Sequence, residues 1–353
     1  MSIGAIPNEI ILEISKFLRP ADMRSFSKTN RRLFSLLSHS LLDNVFLHQS
    51  TEYGKRVLYY SCRNGDRDTI KNLIDRRIIE FVGNGSVLCE AVGCVSDSAF
   101  KIMLECGADP AACEKALGRQ PLMFAILAGR LETVSMLLAD PRVDINKGDN
   151  IGRTPLMLAA LKDCTAGALL LLQDPRIDPN LQDVEGCTPL HRAVEKENNG
   201  IIRLLLEHDG VDPNLHEGCF ETPIHWAAQK GHLEALTLLM ADPRTHIQRE
   251  DALHWTVLHW AARQGHTELV ELMVADPRID VNIMDNEGET PLHRAAEEGH
   301  EDVVQLLLAT EGIDVDIADN ESIPVSALIS EYTPAVAKLL VDHILAKNNI
   351  CCV

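Results

Sequence analysis

Four histidines, His191, His225, His259 and His293, stand 34 residues apart in a chain of 353 residues. Imidazole titrates near neutrality and ligates metals, so such a set could in principle serve proton transfer or zinc. The fixed interval argues for a different role. A catalytic centre needs one constellation of unlike groups, whereas a side chain recurring at a constant step makes one structural hydrogen bond per repeat. His254 and His259, five apart, do not share a helix face and make a poor zinc pair. The ten cysteines include no Cys-x-x-Cys pair and no metal-ligand spacing with histidine. No phosphate-cradling loop, nucleophile elbow or zinc signature occurs either. The residues therefore point away from an enzyme, and neither a cofactor nor a metal is expected.

Each histidine belongs to a longer phrase. "TPLHRA" begins at Thr188 and again at Thr290, a separation of 102 residues, or three steps of 34. Intermediate steps land on "TPIHWAA" at Thr222 and "TVLHWAA" at Thr256. Backward steps land on "TPLMLAA" at Thr154, "QPLMFAI" at Gln120 and "SVLCEAV" at Ser86. Such a period overrides the expectation of two or three globular domains, because each unit of a repeat array contacts only its neighbours.

The unit from Asp285 to Ala318 shows what must position these residues. Thr290 can cap a helix, and Pro291 fits the first helical position, where no amide hydrogen is needed. Leu292, Ala295 and Ala296 share a face on which the alanines admit a neighbouring helix closely. Gly299 ends this helix, since glycine takes a positive φ without steric cost. A second helix follows, with Val303, Val304, Leu306, Leu307 and Leu308 as its apolar side. Asp285 to Glu289 reads as an exposed turn with Gly288 at its tip. One such unit cannot hide its apolar surface, and stacking on the next copy buries it.

The pattern G-x-T-P-L-H-x-A-A-x-x-G-H followed by a Val/Leu-rich helix resembles the ankyrin repeat. Units start near 51, 81, 115, 149, 183, 217, 251, 285 and 319. The resemblance implies an all-α solenoid of about eight or nine helix-turn-helix units over residues 51–348, followed by a tail at 349–353. The first and last units are degenerate, as capping units are, and Thr333-Pro334 replaces Gly-His in the last. The terminal "ICCV" lacks cysteine at the fourth place from the end, so Cys351 and Cys352 do not form a prenylation box.

Residues 1–48 fall outside the period. "IPNEIILEISKFL" places Ile10, Ile11, Ile14, Phe17 and Leu18 on one side of an amphipathic helix, and a second stretch contributes Met23, Phe26, Leu33, Leu36 and Leu37. So short a segment can barely bury a core of its own and needs something to lie against. The order Ile6-Pro7, Glu9, Ile10-Ile11, Ile14, Phe17-Leu18, Pro20, Asp22-Met23, Phe26-Ser27 and Arg31-Arg32-Leu33 resembles an F-box. That resemblance implies a small helical bundle over 1–48. It would dock on the adaptor of an SCF-type cullin-RING ubiquitin ligase through Ile6, Pro7, Ile10, Ile11, Ile14, Phe17, Leu18, Met23 and Phe26. The array would then be the receptor for a target protein. A plain scaffold, in which these helices cap the first repeat, is the alternative.

The net charge of −19 is uneven, with six Lys/Arg against four Asp/Glu in residues 1–50 and 27 against 48 beyond them. An acidic array lacks the clustered basic face that nucleic acid requires. No leader and no apolar run of about 18 residues appears, so a soluble protein of the cytoplasm or nucleus, off the membrane, is expected. The residue after each histidine position forms a row: Phe124, Leu158, Arg192, Trp226, Trp260 and Arg294. Two turn tips carry Phe220 and His254 where others carry glycine, with Trp255 beside the latter. Phe220, Trp226, Trp255 and Trp260 are thus the candidate target-binding residues, rimmed by Glu217, Glu221, Glu250 and Asp251, and a basic target would suit them. The alternative is packing between adjacent repeats.

Overall fold

The computed structural model describes residues 58–59, 61–75, 87–327 and 332–350. The F-box-like segment, with every adaptor-facing residue from Ile6 to Phe26, and the cysteines Cys351 and Cys352 lie outside the described residues. Among the described residues the structure is helical, and the only strand-like pairing is an isolated antiparallel bridge between Ala318 and Pro324. No helix among them is long and apolar enough to cross a membrane.

The chain forms two compact units, one ending at Leu158 and one beginning at Ala159. In the first, α1 (Arg67–Asp75) precedes two helix pairs, α2 (Val87–Cys94) with α3 (Asp97–Glu105) and α4 (Pro121–Leu127) with α5 (Leu131–Leu138). Helix α2 packs on α4 and α3 on α5, so like stacks on like. Helix α6 (Pro155–Lys162) contains the boundary and is followed by α7 (Thr165–Leu172).

The second unit continues as pairs: α8 (Pro189–Glu195) with α9 (Asn199–Glu207), α10 (Pro223–Lys230) with α11 (Leu233–Ala241), and α12 (Val257–Gln264) with α13 (Thr267–Val274). Then come α14 (Pro291–Glu298) with α15 (Glu301–Leu308) and a longer terminal helix, α16 (Pro334–Ile350). The inner helices α8, α10, α12 and α14 form one layer and the outer helices α7, α9, α11, α13 and α15 a second, with α16 against α15.

Local chemistry explains each boundary. Thr188, Thr222, Thr256 and Thr290 occupy the N-cap of their inner helices in extended backbone, and Thr154 Oγ1 accepts from the Met157 amide at 3.3 Å. Proline follows at the first position of α4, α8, α10 and α14. Gly231, Gly265 and Gly299 end α10, α12 and α14 in the left-handed region, at φ of 75°, 73° and 78°. A Cβ on Gly265 would stand 2.6 Å from the His300 ring, so that glycine also admits the next repeat.

Packing follows from size. Ala193, Ala227, Ala261 and Ala295 are fully buried where inner helices meet, and Leu190, Ile224, Leu258 and Leu292 fill the layer beneath them. Replacing Ala295 with Leu is expected to overpack the contact between α12 and α14. Chemical denaturation should show a loss of about 1 to 3 kcal/mol.

Candidate functional site

The first surprise of the site is what its acids do. Asp149, Asp183, Glu217, Asp251, Asp285 and Asp319 recur one repeat apart, and each opens a finger between repeats. In every finger one carboxylate oxygen accepts the amides two and four residues on, as Asp285 Oδ1 does from Glu287 at 2.9 Å and Glu289 at 3.0 Å. The acid's own amide donates to the carbonyl of the fifth residue, at 2.9 to 3.1 Å from Asp285, Glu217, Asp251 and Asp319. The fourth residue is thereby forced to positive φ. Glycine supplies it at Gly152, Gly186 and Gly288, but Phe220, His254 and Ser322 hold the same conformation at 63°, 61° and 66°.

In three fingers the second carboxylate oxygen is taken by the row that follows each histidine position, whereas Asp149 Oδ2 takes Arg153 and Arg119. Asp183 Oδ2 receives Arg192 at 2.6 Å, Asp285 Oδ2 receives Arg294 at 2.5 Å, and Asp251 Oδ2 accepts from Trp260 Nε1 at 2.9 Å. Both arginines gather further acids: Arg192 binds Glu185 and Glu195, and Arg294 binds Glu287, Glu289 and Glu297. Two groups with ligand atoms within 4.8 Å of one another, Asp183-Glu185-Cys187 and Asp285-Glu287-Glu289, have the donor types of a metal site. Each is built around a guanidinium, which accounts for the convergence of its acids.

The four row histidines are committed to the scaffold. The Thr188 amide donates to His191 Nδ1 at 3.2 Å, so the proton sits on Nε2, which donates to the Glu221 carbonyl of the next finger at 3.1 Å. His225 and His259 repeat this geometry, reaching the Arg249 and Glu289 carbonyls at 2.9 and 3.1 Å. Burial keeps these rings neutral: it lowers His191 and His259 to about 4 and pushes His225 and His293 down as well. A second set, which the sequence reading missed, binds backwards. His232, His266 and His300 bond the Val194, Gln229 and Arg263 carbonyls of the preceding repeat at 2.9, 3.2 and 2.8 Å. The Gly-His pair after α10, α12 and α14 is the signal for it.

The aromatic cluster divides. Phe220 is 51% exposed at its fingertip, where its ring stacks on His216 at 4.7 Å. Trp226 is half-buried with its ring edge-on to His191. Trp255 and Trp260 correct the expectation of an exposed four-aromatic patch, since they are only 3% and 8% exposed. Trp255 is the fifth residue of its finger, whose amide and carbonyl are both tied to Asp251, and this anchors its ring beneath the tip. There it meets Trp260 at 4.8 Å, and the guanidinia of Arg263 and Arg294 lie over its ring, 5.0 and 4.8 Å from its centroid. Exposed apolar residues the sequence reading passed over, Val184, Leu253 and Met284, flank Phe220 along the fingers of this unit. Of the rim acids, Glu250 pairs with His254 at 2.9 Å, and Glu221 is pushed up to about 7 by burial and by the charges of Glu217 and Asp251. Between the fingers at Asp285 and Asp319, a hollow of about 600 Å³ is lined by Glu287, Glu297, Asp319 and Glu321.

Inner helices, outer helices and acid-braced fingers in this order define a repeat array whose variable tips face solvent. The sequence profile of the ankyrin repeats matches in three overlapping copies, at residues 88–183, 168–251 and 224–319. The chain belongs to the ankyrin-repeat family, and its array is a protein-interaction module. Among solved structures, the human ASB11 ankyrin repeat domain is similar at 25% identity and a TM-score of 0.54, covering 64% of this chain and 98% of that one. EF0377, an ankyrin repeat protein, is similar at 26% identity and a TM-score of 0.51, covering 54% of this chain and 97% of its own. No curated protein sequence matches.

Two expectations follow. His191 and His259 take up protons less readily in the folded chain, at about 4, than at their ordinary value of 6.5. Their stabilisation is therefore present above pH 6.5 and is lost as pH falls towards 4, on the order of 3 kcal/mol for each. Glu221 opposes them between its ordinary 4.5 and about 7, but its partial exposure screens the effect. Thermal melting should fall as pH drops from about 7 to 5, and His259→Gln, which can still accept the Thr256 amide, should flatten that slope. Secondly, Trp255→Ala should cost about 3 to 5 kcal/mol in denaturant titration, whereas Phe220→Gly should not lower the melting point, because glycine suits a positive φ.

Proposed function

We propose that this chain is the substrate-recognition subunit of an SCF-type cullin-RING ubiquitin ligase. The observation that carries the reading is the F-box-like order from Ile6 to Leu33 standing directly ahead of a protein-binding array. In this reading the chain itself makes and breaks no bonds. The segment 1–48 docks on the adaptor and through it on a cullin, while the array holds a target protein near the charged ubiquitin-conjugating enzyme. The rate gain comes from the raised effective concentration of the target's lysines. The work is done in the cytoplasm or nucleus and requires no cofactor.

The target face centres on Phe220 and Trp226. A bulky residue held at positive φ costs about 1 to 3 kcal/mol, and a half-exposed ring regains little of that in the free protein. Contact with a partner supplies a reason to keep it. Trp255 and Trp260 act from below, by fixing the neighbouring finger. The acidic surroundings suit a basic partner.

The test uses the full chain co-expressed with adaptor and cullin. Pro7→Ala combined with Ile10→Asp should abolish co-purification of the adaptor and leave array melting unchanged, because repeats contact only their neighbours. Unchanged co-purification, or a melting loss as large as deletion of a repeat, would favour the capped scaffold.

A further inference from the structure

One histidine of the row completes only half of its bonding. His293 Nδ1 accepts from the Thr290 amide at 3.1 Å, which leaves the proton on Nε2. In His191, His225 and His259 the Nε2–H donates to a main-chain carbonyl of the next repeat at 2.9 to 3.1 Å. His293 is only 2% exposed, yet its Nε2 makes no hydrogen bond. Ile323 is the fifth residue of its finger, as Glu221 and Glu289 are of theirs, but its carbonyl is out of hydrogen-bond geometry. Burial lowers the ring's pKa, and the Asp319 charge and that carbonyl only oppose the fall. A buried donor left unpaired costs more than an ordinary hydrogen bond gains, so Nε2 calls for an acceptor. The ring borders the hollow between the fingers at Asp285 and Asp319, which five carboxylates line against the guanidinium of Arg294. Two ties that hold the finger at Asp285 are lacking at Asp319. His259 bonds the Glu289 carbonyl at 3.1 Å, and Arg294 takes Asp285 Oδ2 at 2.5 Å. At Asp319 the imidazole bond is missing, and the residue nine places on is Leu328, whose side chain carries no donor.

We propose that this hollow binds an extended basic peptide segment of another protein, whose main-chain carbonyl accepts from His293 Nε2 while its cationic side chain lies among Glu297, Asp319 and Glu321. The carbonyl bond is the one that earlier repeats make with their successors, so the partner takes the place of a finger. Nε2 is covered, and the less firmly tied Asp319 finger yields as the carbonyl enters. A bare metal ion would suit the acids but not the N–H, and an anion would suit the N–H but not the acids. A peptide supplies a carbonyl dipole to the imidazole and, one side chain away, a cation to the carboxylates. Among the described residues neither Asp319 nor Glu321 makes an ion pair, so the cation displaces no internal partner from them. The hollow shares no lining residue with Phe220 or Trp226, and the inference holds whether or not the chain serves a ligase.

The full chain, labelled with nitrogen-15 in its histidines, should be titrated with a blocked Gly-Gly-Lys-Gly-Gly peptide and with its norleucine counterpart, which keeps the shape and loses the charge. The lysine peptide should bind about tenfold more tightly. As it binds, the Nε2–H resonance of His293 should move downfield, while those of His191, His225 and His259, already bonded, stay in place. Glu297→Gln with Glu321→Gln should remove the preference for lysine at unchanged melting. Glu268→Gln with Glu271→Gln, which removes the same charge from the exposed side of α13, should leave it within about twofold. Equal binding of the two peptides, lysine binding with a stationary His293 resonance, or equal loss from the α13 pair would each overturn the proposal. Adaptor binding does not enter this measurement: a moving His293 resonance beside failed adaptor co-purification supports the peptide site and sinks only the ligase reading.

Discussion

No repeat in this chain can bury its own interior, and everything else in the structure follows from that deficit. Two helices of about eight residues leave an apolar face open, and stacking closes it only if the next copy arrives at the right height with small side chains. The fully buried alanines meet the steric half of the demand. The polar half is met by imidazoles. His191, His225 and His259 each accept from their own cap and donate to a carbonyl in the loop of the next repeat, while the histidine after the Gly turn binds the previous helix. Because a buried polar group without a partner costs more than a hydrogen bond gains, these bonds fix the register of the stack.

The same economy governs the fingers. An acid that folds its own turn needs only one oxygen, and the other is free to organise whatever lies nine residues on. Where that residue is arginine, the finger becomes a closed ionic cage. Where it is tryptophan bonded back to the acid, as at Trp260, the finger becomes part of the core. At Glu217 neither closure occurs, and the neighbouring tip carries an exposed Phe220 in a conformation that glycine would hold more easily.

Charge gives this arrangement its direction. The array is strongly acidic, yet much of its acid is consumed internally by turn amides and by Arg192, Arg244, Arg278 and Arg294. What remains outward is concentrated on fingers and beside α14, next to apolar tips. Such a surface steers association electrostatically and retains the partner through a few aromatic contacts.

The sequence by itself determined the period, the helix starts at Thr154, Thr188, Thr222 and Thr290, the glycine ends and the structural role of the four histidines. These are local signals, since a cap, a proline or a positive φ is set by residues within one turn of each other. The F-box-like order is also a pattern of residue types, but it lies outside the described residues. The fate of the aromatics was not legible. Trp226 and Trp260 occupy equivalent positions and follow the same phrase, yet one reaches solvent and the other does not. Trp255 is buried because Arg294, supplied by the following repeat, closes over it. Burial at a repeat junction depends on what the neighbouring copy contributes some 34 residues away, and only the tertiary structure brings the two together.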